Sequence, residues 1–409
     1  MDASYTTPVE TGRLQRLALI AGIVALAVCA IGALLSPGGK TQFFHAYLMA
    51  YVFWTGVSIG SLAIMMLHHL SGGGWGLVIR RIMEAATRVI PLMFILFLPL
   101  ILGIGTLYEW AHPLSEIAPG HRELIQHKQP YLNIPFFIGR FVFYFAVWGL
   151  LTYLLNKLSL EQDRTANPEL RKRMQGISGP GIVFFGLTVT FAATDWIMSL
   201  EPEWFSTIFG LLIMVGWGLS ALAFIIIAAS RLVTRPPLEG VMVPLHFHDL
   251  GKLLLAFVML WAYFGFSQFL LIWYGNLPEE IPWYLRRMRS GWAYVGLVLV
   301  LFHFAVPFFL LLSRNLKRHA RTLSIIAALL IVMRFVDLFW MIAPVAEVHG
   351  GGALSVILNY WMYLLTPIGI GGLWLAYFAY QLRQRALLPV NDKGMENLLE
   401  QAAAAAHHH

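Results

Sequence analysis

The stretch LIVMRFVDLFW, Leu330 to Trp340, sets an arginine and an aspartate three residues apart in an otherwise apolar run. On a helix that spacing puts both charges on one face. Facing lipid, each would cost about 2.5 kcal/mol or more. The face that carries Arg334 and Asp337 must therefore turn into packed protein. A chain able to hide such a face has to supply several neighbouring membrane helices.

Composition agrees with that demand. Of 409 residues, 58% are hydrophobic and only 12% charged, about half the charged fraction of a soluble domain. Mean hydropathy is +0.70. A water-soluble enzyme is excluded by this balance. The first apolar run, Leu14 to Leu35, is longer than a signal-peptide core, and the SPGGK after it lacks a small-x-small cleavage site, so it reads as a retained helix. The single cysteine, Cys29, rules out a disulfide framework, a CxxCH haem site and a cysteine-held iron–sulfur cluster. The closing QAAAAAHHH reads as a linker with part of a tag.

Ten runs are long and apolar enough to span a bilayer: 14–35, 41–70, 88–110, 134–157, 178–200, 204–230, 248–275, 291–313, 320–344 and 354–382. Pro91, Pro99, Pro307 and Pro367 lie inside them, which membrane helices tolerate when neighbours satisfy the freed carbonyls. Alternating sides gives a test of the number. One side holds 19 of the 28 Lys and Arg residues and the other holds 6, with Arg140, Lys252 and Arg334 inside the runs. That bias places both termini in the cytoplasm. It also accounts for the formal charge of +7 without a nucleic-acid partner. Residues 158–177 read as a charged inner connector, and 111–133 as an outer loop with short interfacial elements.

The fifth and ninth runs echo one another. Each carries an aspartate seven residues before a proline, Asp195 with Pro202 and Asp337 with Pro344. Runs four apart point the same way, so runs 2–5 (about 41–200) and 6–9 (about 204–344) read as parallel four-helix bundles, with 14–35 and 354–382 peripheral.

Ionisable residues inside a membrane are functional candidates by default. By depth they fall into two groups. Towards the outer side lie His45, Glu109, Arg140 and Asp195, with Arg334 and Asp337 slightly deeper and His303 near the middle. Towards the inner side lie His68, His69, His248, Asp249 and Lys252. Such a set reads as two half-ladders for protons. The bland alternative is structural: paired charges locking helices, or side chains snorkelling at helix ends. The triplet His246-Phe-His248 invites a metal reading, but histidines two apart diverge on a helix. His303 has no partner at its depth, which argues against a bis-histidine haem.

Several longer stretches add a resemblance: LYEWAHP, HKQPYLNIPFFIGR, SGPGIVFFGLTVTFAATDWIMSLEPEW, FHDLGKLLLAFVMLWAYF and GNLPEEIPWYL, together with RFVDLFW. Over about residues 10–390 the chain resembles the NrfD/PsrC-like family. Within it, the likeness is to the second large membrane subunit of bacterial alternative complex III, a quinol:electron-acceptor oxidoreductase. The resemblance implies a ten-helix all-α fold of two four-helix bundles plus two peripheral helices, in the bacterial cytoplasmic membrane. It implies partner subunits: a homologous large membrane subunit, a cluster-bearing subunit and c-type cytochrome subunits, with association to a terminal oxidase. Haem c and iron–sulfur clusters then belong to the partners, and this chain holds no covalently bound cofactor. A quinone, menaquinone or ubiquinone, is the implied ligand, and the matching polar positions are His45, Tyr108, Arg140 and Asp195. The resemblance leaves two roles open, quinone binding or proton conduction alone.

From the residues without the resemblance, a secondary transporter is the second reading. TPIGIGG at 366–372 is the only strongly interrupted segment, and it has no counterpart in another run. A purely structural membrane anchor is the third.

Overall fold

The computed structural model describes residues 10–289, 291–346, 353–389 and 391–398, with backbone alone for 10 and 353–359. The linker-like end, 401–409, lies outside the described residues. Among the described residues, ten helices are long and apolar enough to cross a membrane. They are α1 (Glu10–Leu35), α2 (Gly39–Ser71), α3 (Gly74–Leu102), α4 (Ile134–Thr165), α5 (Glu169–Trp196), α6 (Phe209–Leu232), α7 (Pro244–Gly275), α8 (Trp292–Leu312), α9 (Ala320–Ile342) and α10 (Ala353–Arg383). No strand occurs among the described residues.

Between helices in lipid the hydrophobic effect is spent, so association rests on close packing and interhelical hydrogen bonds. The centre shows both. Helix α2 is apolar on every side and buried along nearly its whole length, the pattern of a core helix. It crosses α6 through Gly56 and Gly60. A Cβ at Gly56 would lie 2.2 Å from Trp217 Cδ1, and one at Gly60 2.2 Å from the Trp217 carbonyl. Helix α10 fastens to α2 by hydrogen bonds: Trp374 donates to Ser58 Oγ (2.8 Å), Thr366 to the Ala46 carbonyl (3.0 Å), and Trp54 to the Pro367 carbonyl (3.0 Å). Helix α1 packs along α10, and a Cβ at Gly372 would come within 2.4 Å of the Ala18 carbonyl.

Two boundaries differ from the hydropathy reading. The third helix starts at Gly74, not 88, because its first half is helical and buried yet carries Arg80, Arg81 and Glu84. Those charges depress the hydropathy that marks a membrane run. Arg80 and Arg81 therefore belong to packed protein and weigh less as orientation signals. The connector 158–177 is also mostly helix: α4 runs on to Thr165, α5 begins at Glu169, and Ala166 turns the chain at φ 51°.

One end of the bundle is roofed by a short helix, Pro119–Lys128, by another, Ile281–Arg287, and by 3₁₀ turns at Glu109–Ala111 and Met198–Leu200. The other end carries the α4–α5 turn and the chain after α10. The first is the roofed end of the molecule and the second its connector end. Arg287 caps α9 at the roofed end. It donates to the carbonyls of Trp340 (3.1 Å) and Met341 (2.6 Å) and to Glu201 Oε1 (2.7 Å), satisfying acceptors the helix end leaves free. Its guanidinium lies 3.7 Å over the Trp283 ring, and burial lowers its pKa to about 10 against the pull of Glu201.

Candidate functional site

The roofed end holds a cleft of about 580 Å³ lined from α2, from the chain after α3, from the turn after α5 and from the 279–286 segment. His45 is among the residues that line it. One turn back along α2, the Thr41 carbonyl lies 2.9 Å from His45 Nδ1. A carbonyl only accepts, so Nδ1 carries the proton and Nε2 presents a lone pair. That Nε2 is buried and has no partner. Tyr108 also lines the cleft, with its hydroxyl donating to the Trp196 carbonyl (3.0 Å). Towards the mouth, His121 bridges two carboxylates, Glu109 at 3.0 Å from Nδ1 and Glu203 at 2.7 Å from Nε2. The hydrogen bond to Glu109 raises the His121 pKa, helped by the charge of both carboxylates.

Arg140 and Asp195 do not join His45 and Tyr108 in this cleft. They close on one another between α4 and α5. Arg140 Nε and Nη2 donate to the two Asp195 oxygens at 2.8 and 2.9 Å, Nη1 donates to the Tyr131 carbonyl (2.9 Å), and Tyr144 donates to Asp195 at 2.7 Å. The guanidinium stacks over Tyr131 and Phe136. The four residues expected as one pocket are thus two pairs, since a bidentate arginine leaves the aspartate little capacity for a ligand.

The opening stretch lands in the core of α6–α9. Arg334 and Asp337 are both buried and paired through Arg334 Nη1. Trp261 of α7 donates to the same Asp337 oxygen (3.0 Å), and its ring packs 3.9 Å from that of His303. His303 sits in a π-helical stretch of α8, Leu299–Ala305, a feature frequent at functional sites. Gly216 of α6 makes room for the arginine: a Cβ there would lie 2.2 Å from Arg334 Nη2. Both His303 ring nitrogens and Arg334 Nε and Nη2 are buried without partners. Asp195, grouped with these residues on sequence depth, belongs to the α4–α5 clasp instead.

The expected inner ladder comes apart. Lys252 is more than half exposed and pairs with Asp249, three residues before it, at 2.7 Å. His248 Nδ1 is buried and unpartnered. His68 packs against the start of α3, where a Cβ at Gly76 would lie 2.0 Å from its Nδ1, and its ring is 5.7 Å from that of His69. The α7 residue that reaches α3 is His246, whose Nε2 would lie 3.2 Å from a Cβ at Gly74. Among the described residues no hydrogen bond, ion pair or ring contact joins His68 or His69 to His248, Asp249 or Lys252, and no group of three potential metal ligands forms.

Sequence reading missed the largest charged cluster, at the connector end. Glu84 receives Arg80 Nε (3.1 Å), Arg81 Nη1 (2.6 Å), Arg385 Nη1 (3.2 Å) and the Ser159 hydroxyl. Arg81 also pairs with Asp163, and Arg80 with Asp392 (3.0 Å) and Gln162 (3.0 Å). The available signal was RRIME, where both arginines stand three and four residues from the glutamate.

No family model and no curated protein sequence matches the chain.

Proposed function

We propose that this chain is a non-haem membrane subunit of a quinol-oxidising electron-transfer complex, of the NrfD/PsrC-like type its sequence resembles. In this reading both termini are cytoplasmic and the roofed end faces outward. Partner subunits carry the haem and iron–sulfur centres. The observation that supports it best is His45: a buried imidazole among the residues lining a cleft, its tautomer fixed by the Thr41 carbonyl, with Nε2 unpartnered. A quinol ring placed there donates a hydroxyl proton to Nε2. The pair of carboxylates on His121 offers that proton a way to water at the mouth. General-base help of this kind is worth about 10²–10⁴ in rate. The Arg334–Asp337–His303 core supplies ionisable groups at mid depth for a second proton route. His68, His69, His248, Asp249 and Lys252 supply them near the connector end.

Purification from native membranes tests the reading. Copurifying c-type haem, iron–sulfur signals and extractable quinone are expected, and an isolated chain with no redox partner overturns it. In the assembled complex, His45→Gln should lower quinol oxidation about 100-fold or more, whereas unchanged turnover removes His45 from the site. Sidedness is checked with cysteines placed at Lys172, which is 75% exposed on the first turn of α5, and at Glu279 in the roof. They should label from opposite faces of the membrane.

A further inference from the structure

Arg13 and Arg16 stand in the first two turns of α1, and Arg383 ends α10. Cations in the first turns of a helix oppose its dipole, so helix stability does not explain the first two. The three arginines, with Gly12 and Gln15, line one cleft of about 520 Å³ at the connector end. None of the three takes part in an ion pair among the described residues. Among the described residues their one polar side-chain partner is Gln15, whose Oε1 accepts from Arg383 Nη1 at 3.3 Å. Gly12 permits this approach, since a Cβ there would lie 3.2 Å from Arg383 Nη1. Farther along, Gly22 and Gly372 bring α1 and α10 into backbone contact, so the cleft is fixed by a rigid helix crossing.

We propose that this cleft binds the phosphate of an anionic phospholipid. Among the described side chains no carboxylate pairs with the three arginines, so their like charges repel one another and a bound anion reverses that penalty. Guanidinium forks match phosphate oxygens in pairs, as ammonium groups do not. A free phosphate and a lipid headgroup present the same oxygens. The lipid is favoured by what lies beside the cleft: Leu14, Leu17 and Ile20 of α1 are 53%, 57% and 60% exposed, an apolar face for acyl chains, so a lipid can engage both the arginines and the face next to them where a free ion engages only the first. Orientation bias accounts for the sign of the charge at this end. It does not account for Arg383 seated against Gly12.

The test uses the full-length protein stripped of lipid in a neutral detergent, with thermal unfolding as readout. Dioleoyl phosphatidylglycerol should raise the midpoint, while dioleoyl phosphatidylcholine or inorganic phosphate at equal concentration should not. Each of Arg13→Gln, Arg16→Gln and Arg383→Gln should weaken the phosphatidylglycerol response about fivefold in apparent affinity. Arg383→Lys should fall between wild type and Arg383→Gln, because charge remains but the fork is lost. Gly12→Leu changes no charge and should also weaken the response, by displacing Arg383. Equal protection by phosphatidylcholine refutes a site for the anion. Equal protection by inorganic phosphate refutes the lipid. A response surviving in the triple glutamine variant refutes the arginines, and if that variant does not fold, the Arg383→Gln single variant and the wild-type lipid panel decide.

Discussion

Two buried charge clusters in this molecule are built on opposite plans. At the connector end, Arg80, Arg81 and Arg385 face Glu84, Asp163 and Asp392, and nearly every polar atom has a partner. In the α6–α9 core, Arg334 and Asp337 form one pair while four nitrogens of Arg334 and His303 have none. A buried network gains from completeness, because each unpaired group carries its full desolvation cost. The first cluster therefore reads as a clasp holding the chain after α10 onto α3 and α4. The second retains unmet hydrogen-bonding capacity next to a π-helical stretch, which a purely structural pair does not need. Incomplete satisfaction, more than charge itself, separates the functional candidate from the clasp.

The largest effect should come from the clasp. Glu84→Ala removes the carboxylate shared by three arginines, and breaking a buried ion pair costs about 3–5 kcal/mol. Thermal unfolding of the purified protein should show that loss, with Arg385→Ala smaller because its guanidinium is 14% exposed. A loss below about 1 kcal/mol, the scale of a surface pair, would make the two clusters energetically alike and sink the contrast.

Next comes the core pair. Asp337→Asn keeps the shape and the Trp261 contact but strands Arg334, at a cost near the low end of that range, about 3 kcal/mol. Replacing both charges, Arg334→Met with Asp337→Leu, should restore stability to within about 1 kcal/mol of wild type or better, as apolar replacement of buried pairs often does. On the proposed function, quinol-linked proton translocation should fail in both variants. An assembled Asp337→Asn complex with full turnover and undiminished translocation would reduce LIVMRFVDLFW to a structural lock.

What the sequence revealed follows from how local each signal is. Ten apolar runs were legible because membrane thickness imposes one length on all of them, and each appears as a membrane-length helix. Arg334 and Asp337 were legible as a pair because the two stand three residues apart on one helix. The clasp was not, because Arg80 finds Asp392 at 312 residues' separation and Gln162 at 82, and its own charges hid the start of α3. The cleft was half legible. His45 and Tyr108 line it, while Arg140 was lost to Asp195, a contact 55 residues apart in sequence.

The smallest effect concerns the mouth of the cleft and turns on the sign of one titration. Glu109 follows α3 and Glu203 follows α5, so His121 between them staples two segments of the roof. Its folded pKa is raised above 6.5, chiefly by the hydrogen bond to Glu109. Below pH 6.5 the imidazolium is present folded or unfolded, and the full contribution is in place. As pH rises through the raised folded value, the proton leaves and both ion pairs are lost, so the staple weakens towards alkaline pH. The groups are a third or more exposed, so solvent screening keeps the contribution to global stability small. The better readout is local. Hydrogen exchange over 109–121, corrected for intrinsic rates, should quicken in the wild type as pH rises above 6.5 and through the raised folded value. His121→Gln should remove that pH dependence and exchange at the fast rate throughout. Equal pH dependence in both proteins would mean that the roof is held by its other contacts, Arg122 to the Ile117 carbonyl and Lys128 to the Pro202 carbonyl, with His121 free to serve only as a route for protons.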